Sequence, residues 1–170
     1  MKSLSALWEL VKIFAIALVI VLPIRYFIFQ PFVVRGESMV PNYHEGDYLI
    51  IDEISYRFSE PERGDVIVFK YPKDPSQKFI KRIVGLPGET VKINNDQVFV
   101  NDELLPEPYL TAQTYGNLAV ALNSDEYFVL GDNRPYSADS RLWGILPKAN
   151  ITGKVSLRLF PFNRLSLAPN

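Results

Sequence analysis

Beyond Gln30 the chain shows no long run of 3.6-residue apolar periodicity, and this constrains its fold more than any other feature. In its place stand short β-prone runs cut apart by Pro, Gly and Asn. Tyr48 to Ile51, Val66 to Tyr71, Phe79 to Val84, Val91 to Ile93, Val98 to Val100, Tyr127 to Leu130 and Val155 to Phe160 are predicted strands. Asn94-Asn95-Asp96 is a tight turn that makes two of them a hairpin. Pro106 to Asp125, the least strand-like piece, is expected to be a surface loop. No repeat, low-complexity tract or linker divides residues 30–170, so one mainly antiparallel all-β domain is expected there.

The segment before it has another character. Leu4 to Phe29 is apolar except for Ser5, Glu9, Lys12, Pro23 and Arg25, and Ile13 to Ile24 carries no charge. As a helix, this segment would separate Trp8 from Tyr26 by about 27 Å, near the hydrocarbon thickness of about 30 Å. The two aromatics would then mark opposite interfaces, with Lys12 snorkelling inward and Arg25 outward. A cleaved secretory signal is the weaker reading, because no small-x-small site follows Ile24. A buried core helix is disfavoured because the apolar residues surround the axis rather than forming one stripe. Residues 1–29 are therefore expected to be a cytoplasmic start and a transmembrane anchor in contact with lipid, with residues 30–170 on the extracytoplasmic face.

Composition excludes several functions. With 48% apolar residues, 22% charged residues and a net charge of −1, the chain is neither disordered nor suited to nucleic acid. Zero cysteines rule out a thiol nucleophile and cysteine zinc sites, and a single histidine argues against a catalytic transition metal. No cofactor or metal is expected.

Ser38-Met39-Val40-Pro41 and Lys81-Arg82 together suggest a serine nucleophile with a lysine base. The usual base would be histidine, but the only one, His44, lies six positions from Ser38 in a polar turn. Lysine can replace it when burial strips its ammonium of water and lowers its pKa. The two-residue period of a strand places Lys81 between Phe79 and Ile83 on one face, with Ile80, Arg82 and Val84 on the other.

Four segments in order, Ser38–Pro41, Gly64-Asp65-Val66-Ile67-Val68-Phe69, Lys81-Arg82-Ile83-Val84-Gly85-Leu86-Pro87-Gly88, and Gly131 through Arg141, resemble the boxes of the bacterial type I signal peptidases. The resemblance runs from about Gln30 to Pro147. It implies a membrane-anchored serine endopeptidase, with an all-β catalytic fold, that removes signal peptides from exported preproteins. Carried onto this chain, it makes Ser38 the nucleophile and Lys81 the general base, with Ser137 as the hydroxyl that holds the lysine. Asp139 and Arg141 resemble a supporting ion pair, with Asp132 and Arg82 as further supports. Met39 and Phe79 would line a shallow pocket for small substrate side chains.

Three positions depart from the family pattern. Gly36 stands where some members have an oxyanion-binding serine, Asn42 where threonine is commoner, and Glu89 where aspartate is. The first leaves the oxyanion hole to the Ser38 N–H and an unassigned donor. The chain is short for the family, which suggests a minimal form with one anchor. Rival readings are a specialised Ser-Lys processing peptidase of a pilus or organellar system, and an inactive membrane-tethered β module.

Overall fold

The computed structural model describes residues 8–19 and 29–167. Residues 8–19 form a helix, α1, exposed along its length. Among the described residues no helix is long and apolar enough to cross a membrane, and the rest of the expected anchor lies outside them.

The remainder is mainly antiparallel β, as the punctuated sequence requires. The strands are β1 (Phe29–Val33), β2 (Tyr48–Asp52), β3 (Val66–Tyr71), β4 (Asp74–Gly85), β5 (Thr90–Asn94), β6 (Gln97–Val100), β7 (Glu103–Leu104), β8 (Leu118–Ala121), β9 (Glu126–Leu130), β10 (Leu146–Pro147), β11 (Ile151–Phe160) and β12 (Ser166–Leu167). A four-residue helix, α2, spans Ser140–Trp143. The larger sheet runs β1-β2-β11-β3-β4-β9-β10 with β12 beside β11, and the smaller runs β7-β6-β5-β8.

Each predicted strand is present within a residue or a few of its bounds. β4 starts five residues earlier than Phe79, and β11 four earlier than Val155. The expected hairpin joins β5 and β6, with Asn95 and Asp96 at positive φ (48° and 60°), the conformation that Asn and Asp tolerate best. One expectation is corrected: β8 lies inside the expected loop Pro106–Asp125. β1, not among the expected strands, begins at Phe29, the last residue of the range assigned to the anchor. β8 escapes sequence reading because its four residues are half exposed and alternate around two alanines, so hydrophobicity marks it weakly.

β3 and β4 occupy the middle of the large sheet, and Val66 to Phe69 and Ile80 to Gly85 are buried on both faces. Val66, Val68 and Ile80 face a core with Met39, Tyr43, Leu49 and Ile51. Ile67, Phe69 and Ile83 face another with Tyr127, Val129 and Leu146. A third core, from Val84 to Leu130 through Val91, Ile93 and Phe128, joins the two sheets. β11 passes close to β2 at Gly153, where an added Cβ would run into the carbonyl of Asp52. Gly153→Ala is therefore expected to lower stability by about 1–3 kcal/mol, the usual range for overpacking, read as a lower urea midpoint with unchanged slope.

Candidate active site

Two distant segments meet over β4. After β1 the chain buries Val34, turns at Gly36 (φ +76°) and tightens at Ser38, where the Tyr43 N–H closes onto Met39 O at 2.8 Å. Met39 and Tyr43 are almost wholly buried, and this apolar anchorage holds half-buried Ser38 against the domain.

β4 supplies the other half. Its first residues project into solvent, but Ile80 through Gly85 are all buried because β3 and β9 flank them. Lys81, 4% exposed, places Nζ 2.7 Å from Ser38 Oγ and 2.8 Å from the Ile80 carbonyl oxygen. The Phe79 ring centroid lies 5.6 Å away. Burial lowers the Lys81 pKa from 10.5 to about 8, against the opposing charges of Asp139 and Asp132. At pH 7 about one molecule in ten then carries the free amine, against about one in three thousand at the ordinary value.

Arg82 points to the other face. Its guanidinium forms a two-pronged ion pair with Asp132 (Nε to Oδ1 2.9 Å, Nη2 to Oδ2 2.7 Å), both side chains being buried. Nη1 donates to Gly64 O at 2.8 Å, and the guanidinium lies 4.1 Å from the Tyr109 ring centroid. Burial works against this charge, but hydrogen bonding and attraction to Asp132 raise its pKa overall. Asn42 donates to Asp132 Oδ2 at 2.8 Å and to Tyr109 O at 3.1 Å, so the departure at this position is absorbed into the network. Glu89 accepts from the Leu86 N–H at 2.7 Å and pairs with Arg63 at 2.5 Å, closing the turn before β5.

Asp139 and Arg141 also pair, at 2.8 and 2.9 Å. Asp139 caps α2 and accepts the Gly131 N–H at 3.0 Å, which fixes the turn after β9. Ser137 is buried with its Oγ unpartnered, while the hydrogen bonds of Lys81 go to Ser38 and Ile80. Ser137 packs instead against Gly131. A Cβ at Gly131 would collide with Ser137 Oγ and approach Ser38 O to 2.5 Å, so only glycine allows this turn so near Ser38.

A groove of about 680 Å³ opens over Ser38 and Lys81, walled by Phe32, Val33 and Arg35 on one side and by Ser76 to Ile80 on the other. Phe79 lines it, stacked on Tyr71 with centroids 4.7 Å apart. Met39, expected to line a substrate pocket, packs in the core beside Tyr43 and Ile80, because the tight turn directs its side chain inward. His44 is not part of the groove wall. Among the described residues no cluster of His, Cys, Asp or Glu could hold a metal ion.

Sequence reasoning missed Asn133, whose backbone N–H donates to Ser38 O and whose side-chain amide donates to Glu37 O, both at 3.0 Å. It also missed Arg134, whose buried guanidinium ties the 107–114 segment to this turn through Glu107 and Thr114. Both residues stand in the fourth box, yet nothing in a single sequence signals partners 20 to 96 positions away.

A serine hydroxyl in hydrogen-bond contact with a buried, easily deprotonated lysine defines a serine hydrolase site. Residues 7–160 match the family described as signal peptidase, peptidase S26, and the chain belongs to that family of serine peptidases. It is 40% identical over 173 residues to the signal peptidase I of Leptolyngbya laminosa, covering 96% of this chain and 85% of that one. It is 35% identical to signal peptidase I P of Bacillus subtilis subsp. natto, covering 98% and 96%. The crystal structure of a signal peptidase I from Enterococcus faecalis V583 is similar with a TM-score of 0.52 and 33% identity, over 57% of this chain and 97% of that one.

The lowered Lys81 pKa has a consequence for stability that needs no substrate. A folded-state pKa of about 8 against 10.5 means that the fold penalises the charged amine fully below pH 8 and loses that penalty as pH rises past 10.5. Parent stability should therefore rise across this window by up to about 3 kcal/mol relative to Lys81→Met, whose side chain does not titrate. Paired urea titrations at pH 7 and pH 11 measure that difference.

Proposed function

We propose that this chain is a membrane-anchored endopeptidase that removes signal peptides from exported preproteins, with Ser38 as nucleophile and Lys81 as general base. The observation that carries this reading is the 2.7 Å contact between Ser38 Oγ and Lys81 Nζ at the foot of an open groove. Neutral Lys81 takes the Ser38 proton as Oγ attacks the scissile carbonyl. The resulting ammonium gives the proton to the leaving amine, and an acyl-enzyme remains on Ser38. Lys81, neutral again, then activates the water that releases the acyl group.

The groove suits an extended peptide. The outer edge of β1 and the β4 edge above Arg82 have no strand partner among the described residues, and both border it. A peptide laid between them could use main-chain hydrogen bonds for affinity and present alternate side chains to the walls. Residues 1–29 would anchor the chain in the plasma membrane by a single pass, with residues 30–170 on the extracytoplasmic face. Ser38 follows Tyr26 by only 12 positions, so it would act near the lipid surface, where a substrate's apolar segment ends. In this reading Asp132 with Arg82 and Asp139 with Arg141 hold the site together, and Phe79 contributes a wall to the pocket for small side chains.

Ser38→Ala, Lys81→Ala and the double variant should lose kcat to similar extents, because members of one catalytic unit are not additive. A Lys81→Ala enzyme within tenfold of the parent would exclude lysine as the base. For the parent, kcat/KM should climb about tenfold per pH unit below 8 and level off above it, since only the neutral amine is active.

Reconstitution of the full chain in vesicles tests substrate and placement together. A preprotein with Ala-x-Ala before the cut should be processed, and one with bulky residues at both positions should not. Protease mapping should find residues 30–170 on the face opposite the N-terminus. Equal cleavage of both substrates would sink the signal-peptide reading.

A further inference from the structure

We infer that Asn133 is a positioning residue for the oxyanion site, aiming the Ser38 N–H into the groove by holding the preceding carbonyl from behind. The inference rests on the reading of Ser38 as nucleophile. The Glu37 carbonyl oxygen accepts from Asn133 Nδ2 at 3.0 Å and from the Val40 N–H at 3.2 Å. That oxygen belongs to the same peptide plane as the Ser38 N–H, and the bond between them is trans. In a trans peptide the N–H points opposite to the carbonyl, so fixing one fixes the other.

Asn133 takes hold of the next peptide as well, its backbone N–H donating to Ser38 O at 3.0 Å. Two consecutive carbonyls are thus held on one side by a single residue. Among the described residues the Ser38 N–H meets no acceptor, as expected of a donor kept for the developing oxyanion. The need for such a brace is local. Gly36, at positive φ beside Glu37 and with nothing within 4 Å of a notional Cβ, gives the loop no side-chain packing of its own. Asn133 is itself immobilised by its chain neighbours. Asp132 is gripped by Arg82 and Asn42, and Arg134 Nε donates to Gly131 O at 2.9 Å.

The test uses the full-length enzyme with Asn133→Ala and Asn133→Asp, the second keeping the shape but removing the amide donor. Each is assayed for kcat and KM on an Ala-x-Ala preprotein, and for affinity toward a matching peptide aldehyde, whose adduct with Ser38 places an oxygen in the oxyanion site. Both variants are expected to lose about 10²-fold in kcat, the scale of a misaligned donor, and a similar factor in aldehyde affinity. KM, thermal midpoint and the pH midpoint of the acid limb should stay at parent values. Retention of kcat within threefold would overturn the inference, as would parallel loss of kcat, KM and thermal midpoint, which marks a merely structural role. Ser38→Ala runs beside them. If it keeps activity, the nucleophile reading and this inference both fall. If it is inactive while the Asn133 variants are normal, only this inference does.

Discussion

Everything near the groove depends on two adjacent cations in β4 being buried with opposite outcomes. Arg82 keeps its charge because Asp132 meets both prongs of the guanidinium inside the protein. Lys81, one residue along and on the other face, meets a serine hydroxyl, a peptide carbonyl and an aromatic ring, with no carboxylate in contact. A bidentate carboxylate offsets the loss of water around one cation, while the other has no such partner, so the same loss makes its proton easier to remove. Exchanging the two positions would put a permanent charge on the groove face and give Asp132 a single ammonium in place of the guanidinium fork. The strand must therefore be central, so that both faces are dry, and its alternation must hold through Lys81 and Arg82.

The pair also explains how remote segments converge. Asp132 ties the turn after β9 to β4, Asn42 reaches it from the loop that carries Ser38, and the Tyr109 ring covers the guanidinium. A second buried arginine, Arg134, pairs with Glu107 and secures the segment that carries Tyr109. These contacts lie in a low-dielectric interior, where breaking one partner costs about 3–5 kcal/mol because it strands the other charge. The loops of the site consequently behave as parts of the core although few of their backbone bonds belong to a sheet.

The strands were legible because burial on one or both faces writes itself into two-residue alternation or short apolar runs, as in Val66–Phe69 and Val91–Ile93. β1 and β8 were not, the first because Gln30 and Pro31 interrupt its apolar pattern and the second because it is half exposed. Lys81 stood out as a charge among apolar neighbours, and Ser38 was legible through its motif. Asn133 and Arg134 were not, since polar residues in a Gly-Asp-Asn turn look the same whether they bond to themselves or to a loop 96 residues away. Met39 shows the converse limit: an apolar residue next to Ser38 looks like a pocket wall until the turn that directs it inward is known.

The long strand β4 extends well past the part that β9 covers, and Asp74 to Lys78 stand largely in solvent with one edge unpaired among the described residues. An exposed edge of this kind is a template for pairing with any extended chain, another copy of the protein included. Here it reads Asp-Pro-Ser-Gln-Lys, with a proline that cannot donate, a carboxylate whose oxygens are taken by Ser76 and Gln77, and a lysine whose Nζ is held by Gln30. Such residues discourage indiscriminate strand addition while leaving the edge near Phe79 and Ile80 open. The overhang thus carries its own protection against fibrous self-association, and replacing its polar residues with β-branched apolar ones would trade solubility for stickiness along one wall of the groove.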